Sequence, residues 1–343
     1  MAGEAEAAGE GRVVLIPALI GAVLSIVFNR TGFLGFLFLL PIAVVAFCYN
    51  FRSAQACAGL TVLGNGVLSL GMAWVYHLPT HALLPDILYF VVIMLLFTWI
   101  VAPGSKAAFH LTTAYRAALG SLIGAIALLL VLRVSGEETG LYSMLKAQAD
   151  ALVSLYKTSA GPDVVEQTMA EAFITTENIL DFVKNLSLRG GAVLSCLFLF
   201  FLTRQLGAAI FVLVRRVRPN GNFMYFHAAP WMIWALSLSL LAVLLGTSLK
   251  LSWMEIAAWN ILAVCVMFYL AQGAGILMFL FARWTITAGM RLLINFLTVI
   301  VIFSPGINLA FLAVLILLGV AENWAPFRII KTNGPSSTPG KGE

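Results

Sequence analysis

Apolar residues fall along this chain in long blocks, not in the narrow stripes of surface helices. Mostly apolar runs cover about residues 13–28, 33–49, 54–76, 83–102, 114–134, 190–214, 228–249, 254–282 and 289–320. A helix of about 20 apolar residues crosses the ~30 Å of hydrocarbon in a bilayer. The pattern therefore predicts an all-α fold, a polytopic transmembrane helix bundle of about 8–10 spans. Two places leave the number of crossings open. Only Asn29-Arg30-Thr31-Gly32 separates the first two runs, which allows a re-entrant or tilted hairpin. Ser304-Pro305-Gly306 interrupts the last run, which becomes one kinked helix or two short ones in a hairpin.

One segment breaks the pattern. Between residues 137 and 187 three lysines face eight acids, a net of −5. Leu141, Leu145, Leu152 and Tyr156 recur near helical spacing, and so do Val165, Met169, Phe173, Thr176, Leu180 and Val183. Gly161-Pro162 punctuates the two series, with the proline at a plausible first helical position. The expectation is an amphipathic helical hairpin that caps the bundle, forms a dimer face or covers a substrate entrance.

Composition supports a lipid environment. Of 343 residues, 61% are hydrophobic and 10% charged, against roughly 45–50% and 25% in soluble domains. The mean hydropathy is +0.99. These values exclude a cytosolic enzyme, a secreted domain and a disordered chain. The acidic start, with Glu4, Glu6 and Glu10, lacks the positive region of a signal peptide, so the first run reads as a retained helix.

Basic residues near span ends set the orientation. The strongest cluster is Arg215, Arg216 and Arg218, which is expected in the cytoplasm. Arg52, Lys106, Arg116, Arg283 and Arg291 then fall inside, the N-terminus is cytoplasmic, and the acidic hairpin is extracytoplasmic. The tail with Arg328, Lys331 and Lys341 returns to the cytoplasm if Pro305-Gly306 is a hairpin apex. The predicted organisation is a cytoplasmic tail over 1–12, an N-terminal membrane bundle over 13–134 and the acidic hairpin over 135–188. A C-terminal bundle over 189–323 and a polar, disordered cytoplasmic tail over 324–343 follow. The expected location is the bacterial inner membrane.

Motifs for chemistry are scarce. The chain has no GxxxxGK[ST], HExxH or GxSxG sequence, and Gly64-Asn65-Gly66 and Gly273-Ala274-Gly275 are glycine pairs within apolar runs. Cys48, Cys57, Cys196 and Cys265 lie in apolar stretches without a CxxC pair. His77 and His81 are separated by Pro79, which breaks a helical metal-ligand spacing. Paired carboxylates at membrane depth are missing, and Asp86 and Glu255 stand at span entrances. No catalytic residue, cofactor, metal or nucleic-acid partner is expected, and the reading is not an enzyme. A lipid enzyme holding phosphates on Arg215, Arg216 and Arg218 is the minor alternative.

The amides within the spans are the remaining polar candidates. A buried amide without a partner costs on the order of 2–7 kcal/mol, so each must face a helix, water or a ligand. Asn65, Gln272 and Asn308 are the expected substrate-binding residues, since glycine-lined and broken helices favour midplane sites. Arg204 and Gln205 interrupt the sixth run, and Arg204 is long enough to snorkel to the interface. Gly120 and Gly124 form GxxxG, and Gly59, Gly64, Gly66 and Gly71 line one run, which suits close helix packing.

The C-terminal third carries a resemblance. Ala229-Pro230-Trp231, Tyr269-Leu270-Ala271-Gln272-Gly273, Leu318-Gly319-Val320-Ala321-Glu322-Asn323-Trp324 and Phe327-Arg328 are its local motifs. Through them the chain resembles the YybS-like family of bacterial multispanning proteins, a domain of unknown function. That family is similar to the substrate-binding S components of energy-coupling-factor transporters. The resemblance implies a solute-binding or transport component without its own ATPase. Its partners would be the lipid bilayer, an energising ATPase module or other membrane subunit, and an unidentified small molecule. The alternative is a structural or regulatory membrane protein acting through its outer hairpin or basic inner loop.

Overall fold

A computed structural model describes residues 13–75, 80–102, 112–135, 140–159, 175–215, 223–283 and 306–325, together with 290, 304, 327 and 328. The N-terminal tail over 1–12, Arg216, Arg218, His77, Gly161-Pro162, Pro305 and the tail beyond 328 lie outside the described residues.

Regular structure among the described residues is helical, with no strand. In chain order the helices are α1 (Leu15–Arg30), α2 (Leu40–Cys48), α3 (Phe51–Val75), α4 (Thr80–Val101), α5 (Thr113–Ser135), α6 (Gly140–Ser159) and α7 (Thr176–Leu186). There follow α8 (Ala192–Arg215), α9 (Met232–Ser248), α10 (Ser252–Arg283) and α11 (Ile307–Ala321). Five helical stretches are long and apolar enough to span a bilayer: Phe51–Val75, Leu83–Val101, Thr113–Arg133, Thr176–Arg215 and Ser252–Arg283. Four shorter apolar helices, Leu15–Arg30, Leu34–Cys48, Met232–Ser248 and Ile307–Ala321, complete the correspondence with the apolar runs. The fold is an all-α polytopic bundle. Its outer surface is apolar: Leu63, Val67 and Leu213 are mostly exposed, as are Trp74, Trp234 and Trp253 near helix ends. Exposure of such side chains is stable in lipid and costly in water.

The helices group into two compact units, one of Met1–Pro219 with Leu240–Val264, the other of Asn220–Ser239 with Cys265–Glu343. In the first, α1 and α3 run in parallel. The Val14 amide donates to Ser53 Oγ at 2.9 Å, Asn29 donates to Asn65 at 3.2 Å, and Arg30 donates to Ser69 Oγ at 2.7 Å. Between them the chain turns back through a 3₁₀ segment, Gly32–Leu37, and the nine-residue α2. At 1.5 Å per residue α2 is only about 14 Å long, so this first hairpin is shallow.

Helix α5 lies against α4 and α8. A side chain at Gly120 would meet Ile100 and Phe200, and one at Gly124 would meet Ile93 and Cys196. The pairs place α5 antiparallel to both neighbours, and the GxxxG spacing works as a close-packing face. Phe97 and Phe200, both fully buried, have ring centroids 6.0 Å apart at the centre of this layer. By contrast, Gly59, Gly66 and Gly71 of α3 have no neighbour within 4 Å, so only Gly64 of that series packs, on Ile26.

Helices α6 and α7 pack on each other, and Thr176 donates to Asp150 at 2.6 Å. The Thr175 side chain caps α7 by accepting from the Asn178 amide. A kink at Ser187–Gly191 joins α7 to α8, with Gly190 at φ 100°. Its floor is the start of α10: Asn260 donates to the Leu188 carbonyl at 2.7 Å, and Arg189 pairs with Glu255 at 3.2 Å.

In the second unit α10 and α11 cross at backbone contact. A side chain on Gly273 would strike the Leu315 carbonyl, and one on Gly319 would strike that of Tyr269. Gly306, at φ 87°, begins α11 where the sequence predicts a break.

Candidate functional site

Two groups of polar side chains stand out, one in each unit. In the second unit Glu322 ends α11 and is buried. Its Oε1 accepts from Arg328 Nε at 2.7 Å, and its Oε2 accepts from Arg328 Nη2 and from Gln272 Nε2, the latter at 2.9 Å. The remaining Arg328 donors reach the Met224 carbonyl at 2.7 Å and that of Phe226 at 3.0 Å. Gln272 Oε1 accepts from the Ala228 amide at 2.8 Å. His227 Nε2 stands 3.6 Å from Glu322 and is more than half exposed. A buried charge persists when it is paired and its remaining lone pairs are satisfied. Here the carboxylate, guanidinium and amide satisfy one another. The group therefore acts as a clasp that holds Arg328 and residues 224–228 against α10 and α11.

In the first unit a cavity of about 300 Å³ opens where helix ends gather. Its walls are Phe47 of α2, Phe51 of α3, Ile100 of α4, Ala102, Thr113 of α5 and Arg204 of α8. Phe51 and Thr113 are the first residues of their helices, so two positive dipole ends face the space. The helix ends of opposite sign are neutralised. Arg116 Nη1 donates to the Ala102 carbonyl at 3.0 Å, and Arg215 Nη2 donates to that of Cys48 at 2.8 Å. Arg204 differs from both. Its guanidinium carbon lies 5.9 Å from the Phe47 ring centroid, and no carboxylate or carbonyl among the described residues pairs with it. Arg204 is part-buried, and cation–π contact supplies only about 0.5–2 kcal/mol. Arg116 is itself buried, and its Nε has no hydrogen-bond partner among the described residues.

The predicted amides are placed as follows. Asn65 is buried between α1 and α3; its Oδ1 accepts from Asn29, and its Nδ2 has no partner among the described residues. Arg30 donates to the Asn65 carbonyl at 3.3 Å. Gln272 belongs to the clasp. Asn308 accepts from the Leu309 amide at 2.7 Å at the start of α11. Within the second unit Gln272 and Asn308 thus have separate partners, and Asn65 is not among the residues that wall the cavity of the first. Of the basic cluster, Arg215 is the described member, and it anchors α8 to the end of α2.

Sequence reasoning missed Glu322 and Arg328 as a pair, and treated Arg204 as a snorkelling residue. The available signal for Arg204 was its position, eleven residues before Arg215 and within an apolar run. Comparison with family models, curated proteins and solved structures finds no match to this chain.

Proposed function

We propose that this integral membrane protein is the solute-binding component of a transporter, of the S-component type, energised by a separate ATPase subunit and not an enzyme. We place it in a bacterial inner membrane with its N-terminus in the cytoplasm. The observation that carries the reading is the cavity of about 300 Å³, at the lower end of the range for small-molecule sites, with Arg204 and Thr113 in its wall beside apolar side chains. Arg52, Arg116 and Arg215 gather at the same helix ends, and by the positive-inside rule we read this end as cytoplasmic.

The test is thermal stabilisation of the purified protein by a panel of vitamins and metabolites, with copurification of an ATPase module. A ligand at 100 times its Kd stabilises by about 2.7 kcal/mol, which raises Tm by several degrees. No shift with any solute and no ATPase partner would reject the reading.

A second reading, a structural or regulatory membrane protein, draws on α6 and α7, where Leu152, Leu155, Phe182 and Leu186 remain exposed. Deletion of residues 137–187 separates the two. Loss of a protein complex with solute binding intact favours the regulatory reading.

A further inference from the structure

We infer that the cavity of the first unit binds a small organic anion, a carboxylate or phosphate on an apolar body, with Arg204 as its charge partner. This rests on the solute-binding reading and names the class of its ligand.

The charge balance carries it. Arg204 projects from the middle of α8 into a wall that it shares with Phe47, Phe51, Ile100, Ala102 and Thr113. No anion among the described residues meets its guanidinium, whereas the other two arginines at this end each hold a helix-terminal carbonyl. The first turns of α3 and α5 add positive dipole ends, and α3 is capped by Asn50, which accepts from the Ser53 amide at 2.7 Å.

A fork of guanidinium donors fits carboxylate and phosphate oxygens equally well. The aromatic and aliphatic walls fit an apolar body beside that head. The Phe47 ring lies beside the guanidinium, its centroid 5.9 Å from the guanidinium carbon. Two sources can deliver this chemistry, a soluble metabolite or the headgroup of an anionic lipid.

The experiment uses the full chain in nanodiscs of neutral phosphatidylcholine. Tm is measured against inorganic phosphate and against straight-chain monocarboxylates of increasing length, and then in nanodiscs containing phosphatidylglycerol. Arg204→Gln is compared with Lys146→Gln, which removes an equal charge from the exposed face of α6. The inference expects saturable stabilisation by a soluble anion, weakened at least tenfold in Arg204→Gln and unchanged in Lys146→Gln. Stabilisation by phosphatidylglycerol alone, with the same dependence on Arg204, also supports it and assigns the anion to a lipid.

A second measurement is independent of folding in Arg204→Gln. The four native cysteines are buried, so Thr113→Cys introduces one accessible thiol in the cavity wall. A negatively charged thiosulfonate should label it several-fold faster than a positively charged one, and the stabilising anion should slow that reaction. Equal labelling by the two reagents, with no protection by any anion, overturns the inference. Stabilisation by a neutral solute that ignores Arg204→Gln also overturns it and leaves the solute-binding reading standing. Silence of the whole solute panel rejects both.

Discussion

Glu322 and Arg328 show how much a single pair of residues contributes. Both side chains are almost wholly buried, and each uses its partner and a neighbouring amide or carbonyl to satisfy its polar atoms. Removing one member of such a pair costs about 3–5 kcal/mol, because the other charge stays buried and unpaired. Glu322→Gln and Arg328→Gln should therefore each lower Tm strongly in detergent. The double variant should lose less than the sum of the two, because it strands no charge. Additive losses in a double-mutant cycle would reduce the clasp to two unrelated contacts. The sequence offered part of this group: Gln272, with an amide that needs a partner, and the motif around Glu322. It could not offer the pairing. Arg328 lies six residues past Glu322 across a chain reversal, and it also reaches carbonyls of residues 224 and 226, a hundred residues earlier. Glu322 follows an apolar run and looks, in sequence, like any acid at a water-facing helix end.

At the scale of elements, the apolar runs were legible because length and composition alone specify a membrane helix. Their boundaries in the structure follow the runs closely, and the predicted break before α11 begins a helix at Gly306. Glycine roles were legible only in part: Gly120 and Gly124 pack as their spacing suggests, but glycine leaves no side chain to show which other faces are packed. Gly190 is the clearest case. It holds φ at 100° in the kink between α7 and α8, and a Cβ there would sit 3.2 Å from the Trp259 carbonyl oxygen and 3.0 Å from the Ala263 Cβ. Gly190→Ala should cost about 1–2 kcal/mol for backbone conformation, with the contact on α10 adding to it. Gly59→Ala and Gly66→Ala, on an unpacked face of α3, should instead be neutral or stabilising by up to about 1 kcal/mol. Thermal melts of the three variants test the contrast. Equal effects would mean that the kink is not held by its packing on α10.

The whole molecule raises the question of which side each end faces. Parallel α1 and α3, with α2 returning between them, keep residues 14 and 53 at one end of the first unit. The shallow first hairpin therefore leaves the alternation of later helices unchanged, whether or not α1 and α2 cross fully. The helix ends around the cavity carry Arg116 and Arg215, while α6 and α7 follow the opposite end of α5. The proposed orientation puts the cavity end in the cytoplasm and the acidic pair outside. With single cysteines in a cysteine-free background, Ser154→Cys on α6 should react with an impermeant thiol reagent in intact cells. Ser105→Cys, in the connection between α4 and α5, should react only after permeabilisation. Ser336→Cys reports the tail, whose bases predict the cytoplasm, and thereby fixes whether residues 284–321 cross the bilayer an odd or even number of times. Labelling of Ser105→Cys in intact cells would invert the topology. It would turn the cavity into a mouth open to the outside, where an S component would capture its solute.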